Sequence, residues 1–150
     1  TNPPARRQSA ATTAPPAPAP APAPASSAAA SSNPSGAEGR FFALLNAERE
    51  RQGLAPFGVD AALTEAARAQ AQKMASENRL HHQGLRPLLG RFRIVGENVG
   101  AGPTIDTINQ ALLRSPPHHE NIANPAFTAV GVGVAVDATG QIWTSHVFGG

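Results

Sequence analysis

The first 35 residues contain no Val, Leu, Ile, Phe, Met or Trp, so any packed core must be built from residues beyond position 35. The same stretch holds nine of the fifteen prolines and an Ala-Pro alternation over residues 17–25. Such a segment cannot bury enough apolar surface to offset the entropy of ordering it. Alternating prolines favour extended, polyproline-like conformations, which predicts a semi-rigid spacer. Two roles stay open for it: a tether holding a domain away from a membrane or wall, or a passive disordered tail. The expected organisation is a disordered Pro/Ala-rich linker over residues 1–36 and one domain over 37–150.

Charge divides along the same line. The formal net charge of +2 comes from Arg6 and Arg7, because ten basic residues face ten acidic ones after position 36. The pI near 10.4 reflects the lack of Tyr and Cys rather than a cationic domain. A nucleic-acid surface needs a dense basic stripe, and the one local cluster is Arg86, Arg91 and Arg93; no nucleic-acid partner is expected. The absence of cysteine excludes disulfides, thiolate metal sites and cysteine nucleophiles, without settling the compartment. No stretch approaches the roughly 18 consecutive apolar residues of a membrane span. The chain begins at Thr, as it would after removal of a signal peptide.

Within the domain the apolar period changes once. A first helix is expected over residues 37–52, with Phe41, Leu44, Leu45 and the Arg49 stem on one side and Gly53 as terminator. Asp60 is a good N-cap for a second helix reaching residue 78, with Leu63, Ala66, Ala67, Gln70 or Ala71, and Met74 inward. A third starts at Thr104, carries Ile105, Ile108 and Leu112 inward, and is stopped by Pro116-Pro117. Val130, Val132, Val134 and Val136 then alternate as in a strand. Asp137-Ala138-Thr139-Gly140 supplies a turn, and residues 141–148 return. Gly131 and Gly133, on the other face of that strand, would admit a second element closely. Helices first and a hairpin last predict an α+β domain with helices over an antiparallel sheet.

Catalytic-type side chains gather at His81-His82, at Gly96-Glu97-Asn98 and at His118-His119-Glu120-Asn121, all in expected connections or element ends. His82, Glu97 and His118 could bind Zn2+ or another divalent cation, since imidazole and carboxylate suit such ions. They could equally form an acid–base cluster with the carboxylate fixing a tautomer. The spacing matches no compact ligand motif, and no His-Glu-x-x-His pair occurs. Plainer roles stand beside these: Glu97 anchoring a turn through backbone N–H groups, one of His81 and His82 simply exposed, His118 capping a turn, and Trp143 in the core. Ser115 lacks a nucleophile elbow, and Gly96 to Gly102 lacks the lysine of a phosphate loop.

Several motifs in order resemble one family. Leu44-Leu45-Asn46-x-Glu48-Arg49, Gly53-Leu54 and Pro56 are similar to the opening of bacterial CAP domains, the superfamily of cysteine-rich secretory proteins, antigen 5 and pathogenesis-related proteins. The likeness continues through Asp60, Leu63, Ala67, Ala71, Met74 and His82-Gln83-x-Leu85. It is strongest at Gly96-Glu97-Asn98, at Ser115-Pro116-x-His118-x-x-Asn121-Ile122 and at Phe127-Thr128-x-Val130-Gly131-Val132-Gly133, and Trp143 completes it. The resemblance implies an exported α-β-α sandwich with a central antiparallel sheet, the CAP fold. It also implies a cleft whose tetrad of two His and two acidic residues is matched at three positions by His82, Glu97 and His118. Some members bind zinc there, and others bind sterols or fatty acids in apolar grooves. This chain departs at Leu112, where the family has Trp, at Ser115, where the second acid stands, and at Pro117, where Gly is usual. Glu120 lies nearby, and His81 competes with His82 for the same role. The expectation is an extracellular or envelope-associated protein binding a lipid, a sterol or a cell-wall component, with no catalytic residue assigned. A zinc hydrolase using His82, Glu97 and His118 and a non-catalytic interaction module are the alternatives.

Overall fold

The computed structural model describes residues 36–150. The Pro/Ala-rich segment, with its expected roles as linker, tether or tail, lies outside the described residues. Four helices and four strands run in the order α1 (Gly36–Arg51), β1 (Gly58–Val59), α2 (Ala61–Glu77), β2 (Val95–Gly102), α3 (Ile105–Arg114), α4 (Pro116–Ala123), β3 (Ala129–Val136) and β4 (Ile142–Gly149).

Local chemistry sets most of the boundaries. Asp60 caps α2 by accepting from the Ala62 and Leu63 amides at 2.8 and 3.1 Å, which satisfies two otherwise orphaned donors. Asn78 closes the same helix in the left-handed region at φ 48°, a conformation asparagine tolerates. Gly53 follows α1 at φ 69°. Thr104 caps α3 through the Thr107 amide at 3.1 Å. The proline pair behaves differently from expectation. It ends α3, but it also opens α4, where the two prolines occupy the first positions. Proline is at home there because the amide it lacks has no intrahelical partner.

The sheet runs β1-β3-β4-β2. The β3–β4 hairpin and the β2–β4 pair are antiparallel, whereas β1 joins β3 in parallel through Gly58 and Val59. The expected antiparallel sheet is therefore mixed, by one two-residue strand at its far edge. Asp137 accepts from Thr139 and Gln141 to organise the hairpin turn, and from Trp143 Nε1 at 2.9 Å. Trp143 is core, as expected.

One face of the sheet packs against α1, α3 and α4 through Phe41, Leu45, Ile108, Leu112, Ile122, Val130, Val132 and Phe148. The other face packs against α2 through Leu63, Ala67 and Val147, continued by Met74, Val99 and Trp143. The result is an α-β-α sandwich. On the α2 side the two layers almost touch. A Cβ at Gly131 would lie 2.0 Å from the Leu63 carbonyl carbon, and one at Gly133 would lie 2.2 Å from that of Ala67.

Arg49 ties the other layer. Its guanidinium donates to the carbonyls of Ala55, Ile122, Asn124 and Phe127 and lies over the Phe57 ring at 4.1 Å. Both the charge and its donors are thus satisfied in a buried position.

Gly133→Ala should cost about 3 kcal/mol or more, because backbone rather than a movable side chain blocks the new methyl. Gly90→Ala, with open space around it, should stay within about 0.5 kcal/mol. Urea denaturation of the two variants checks this.

Candidate functional site

Glu97 lies on β2, not in a turn, and its side chain faces the α2 layer with 2% exposure. Its two oxygens are fully used by this chain. Oε2 accepts from His82 Nδ1 at 2.9 Å and the Gln83 amide at 3.1 Å. Oε1 accepts from Gln83 Nε2 and Ser145 Oγ, both at 2.8 Å. Four donors fill the four lone-pair positions of a carboxylate, which makes its burial tolerable. Glu97 does hold a backbone amide, as a turn anchor would, but does so from a strand. His82 meets the Glu97 carboxyl through Nδ1, which leaves Nε2 as the second edge of its ring. The His82 side chain is 60% exposed.

His81 goes elsewhere. Its Nε2 meets Glu77 Oε2 at 2.8 Å, and its carbonyl accepts from Gln70 Nε2 at 2.5 Å. Of the two adjacent imidazoles, His82 is the one that meets Glu97.

Asn98 follows Glu97 and points to the opposite face, as strand geometry requires. There its Nδ2 donates to the His118 carbonyl at 2.9 Å, and its Oδ1 accepts from Asn121 Nδ2 at 2.8 Å. Successive residues of β2 thus grip both layers, Glu97 holding the 82–83 segment and Asn98 holding α4. His118 pairs through Nδ1 with Ser115 Oγ at 2.8 Å, leaving Nε2 as its second edge. Burial first, and the neighbouring charge of His82 second, lower the pKa of His118 below the ordinary histidine value. His82 and His118 thus meet β2 from opposite layers, one at Glu97 and the other at Asn98.

A groove of about 210 Å³ runs along that edge, lined by Leu80, Val99, Ala101, Ile108, Leu112 and His118 among others. Two of the three departures from the family pattern fall on it: Leu112 forms part of its wall, and Ser115 holds His118. Glu120 is exposed on α4 and does not join His82 and Glu97. Among the described residues no three His, Asp or Glu side chains converge closely enough to hold a metal ion.

Gln83, Ser145 and Asn121 complete this polar network. His146 was not singled out by sequence, although alternation along β4 places it beside Val132 and Asn98 in the sheet. It is fully buried, edge-on to Phe41 with ring centroids 5.0 Å apart, and neither ring nitrogen has a partner among the described residues. Burial first and the charge of His118 second push its pKa down to about 3. His119 belongs to a different tie. Its Nε2 meets buried Glu48 at 2.7 Å, linking α1 to α4. Burial raises the Glu48 pKa, but hydrogen bonds from His119, Gln52 and Arg51 outweigh it and hold the carboxyl at about 2.

An α-β-α sandwich with a histidine-lined cleft at a sheet edge defines a class of protein, and comparison gives the family. Residues 42–147 match the Cysteine-rich secretory protein family, CAP, and the chain belongs to it. The Bacillus subtilis (strain 168) protein YkwD is 36% identical over 130 residues, covering 79% of this chain and 49% of YkwD. The chain thus spans about half the length of that curated relative. An extracellular protein containing an SCP domain from Bacillus anthracis is similar in structure, with a TM-score of 0.64 and 25% identity over 75% of this chain and 40% of that one. An outer surface protein from Borrelia burgdorferi shares the fold, with a TM-score of 0.67 and 18% identity over 73% of this chain and 89% of its own.

The His146 environment has a measurable consequence. Its folded pKa lies below its unfolded value near 6.5, so the unfolded chain binds the extra proton first. Stability is full above pH 6.5 and falls as the pH drops toward 3, by about 2 kcal/mol between pH 6.5 and 4.5. His146→Phe should remove most of that slope in denaturant titrations across this window. The remainder belongs to His118 and, near pH 4.5, to Glu48, whose shifts have the same sign.

Proposed function

We propose that this chain is an exported CAP-domain protein that binds a small apolar ligand, such as a lipid, a sterol or another cell-envelope component, in the groove along β2. The observation that carries this is the opening of an apolar groove directly onto His118. A volume near 210 Å³ is below the roughly 300–1,000 Å³ of a site enclosing a drug-sized ligand. It suits one end of a chain or one ring, with a polar group near the His118 imidazole. The extracellular and outer-surface character of the two structural relatives supports an extracellular or envelope location. Among the described residues no helix is long and apolar enough to cross a membrane.

A second reading concerns Zn2+ or another divalent cation. Glu97 does not fit as a direct ligand, because its four acceptor positions are taken by this chain's own donors. His82 and His118 do fit. Each is held through Nδ1, so each can offer Nε2, and Glu97 becomes the positioning residue behind His82. A cation held there would supply Lewis acidity. Two imidazoles without a carboxylate ligand make an open, weak site, which favours ligand binding over a metal-dependent hydrolase. The third reading, an interaction module, leaves the network a purely structural role.

In displacement assays with a fluorescent fatty acid, Ala111→Trp should fill the groove and weaken binding at least about ten-fold, the loss of a few favourable contacts. Unchanged affinity, or no binding by the parent protein across lipid, sterol and wall-fragment screens, would remove the ligand reading. Calorimetric zinc titration addresses the second reading. His82→Ala and His118→Ala should abolish binding, and Glu97→Gln should weaken it by about 10- to 100-fold. Equal affinity in all forms would refute it. Glu97→Ala lowering the melting temperature with every binding activity intact would favour the module.

A further inference from the structure

We propose that the segment between α2 and β2 docks the domain onto an anionic lipid surface through Arg86, Arg93 and the exposed Leu89. Between Glu77 and Glu97 the chain has four arginines, at 79, 86, 91 and 93, and no acidic residue. The rest of the domain carries six basic residues against ten acidic ones. The segment thus carries a local excess of positive charge, and such a field orients a protein toward a negatively charged surface.

The packing shows that this end is a built surface. Leu85, Leu88 and Phe92 turn inward onto the Leu63, Ala67 and Val147 cluster. The Phe92 ring occupies the space a Cβ at Gly149 would need, 2.6 Å from it. Arg86, Leu89, Arg91 and Arg93, in and just beyond the 3-10 turn at Arg86–Leu88, are all exposed. Arg91 pairs with Asp60 and Arg79 approaches Glu77. Arg86 and Arg93 make no ion pair among the described residues.

Apolar exposure coincides with the charge. Four large hydrophobic side chains are exposed among the described residues, and two of them, Leu80 at 49% and Leu89 at 50%, lie in this segment. Leu89 follows the 3-10 turn, between Arg86 and Arg93 in sequence. Cationic side chains flanking a projecting leucine fit an anionic bilayer, where arginines meet headgroups and the leucine reaches the acyl boundary. A soluble polyanion would match the charges but leave Leu89 in water. Leu80, which lines the groove, begins the same segment, and the docking itself does not depend on what the groove binds.

Sedimentation of the full chain with phosphatidylcholine vesicles, with and without phosphatidylglycerol, tests this. Binding should require phosphatidylglycerol and weaken as salt rises. Arg86→Gln and Arg93→Gln should each reduce it about five-fold, and the double variant about 25-fold. Leu89→Ser should reduce it at low and high salt alike. Arg114→Gln, the same charge change on the opposite layer, should leave it unaltered. All four sites are exposed or partly so, and circular dichroism confirms that the variants fold. Equal binding to both vesicle types, no binding to either, or an undiminished double variant would overturn the proposal. Binding to soluble polyglycerol phosphate but not to vesicles would also overturn it and assign the surface to a polymer.

Discussion

The close approach of α2 to β3 governs where everything else in this domain can lie. Gly131 and Gly133 remove the side chains that would hold the helix off, so α2 rests on sheet backbone. That depth sets the point at which the chain leaves the helix, and hence where the 82–83 segment meets β2. Gln83 Nε2 reaches the α2 carbonyl of Ala66 at 3.2 Å while also donating to Glu97. A helix standing even an ångström higher would strain both bonds, since hydrogen bonds weaken steeply outside their narrow range. The cleft is in this sense a product of two missing methyl groups on a strand remote from it.

Much of this was legible in the sequence because it depended on local rules. The Asp60 cap, the α2 stripe and the Val130 to Val136 alternation each announce themselves within a few residues, as does the hairpin turn. The pair of glycines also announced the close approach, though not which helix would use it. What stayed hidden depended on tertiary context. β2 reads Val-Gly-Glu-Asn-Val-Gly-Ala-Gly, with glycines where bulky strand formers would be expected, because α3 and Phe127 take up that space. Alternation is lost when one face must be small, and the segment then looks like a loop. α4 was masked by its prolines, which are breakers inside a helix and acceptable at its start. Burial of Glu48 and His146 could not be read from residue type, because it depends on partners or packing supplied by distant elements.

The site itself was partly legible. Resemblance more than spacing singles out His82, Glu97 and His118, and the structure surrounds Glu97 with four donors of its own chain. A buried carboxylate with four donors is a structural node: removing it would strand several donors at once, each at a cost of about 1–3 kcal/mol. Ser115 shows the complementary change. Where the family places a second acid, a hydroxyl holds His118 without adding negative charge, leaving a groove of one imidazole and an apolar wall.

Arg49 gives the cysteine-free composition its meaning. One guanidinium gathers carbonyls from residue 55, from 122 and 124 at the end of α4, and from 127 at the approach to β3, joining positions more than seventy residues apart. In an exported domain that task often falls to a cystine. A cross-link made of hydrogen bonds needs no oxidant to form and no isomerase to correct. Its integrity is indifferent to thiol poise, so the domain can reach and keep its native state equally well on either side of a redox boundary.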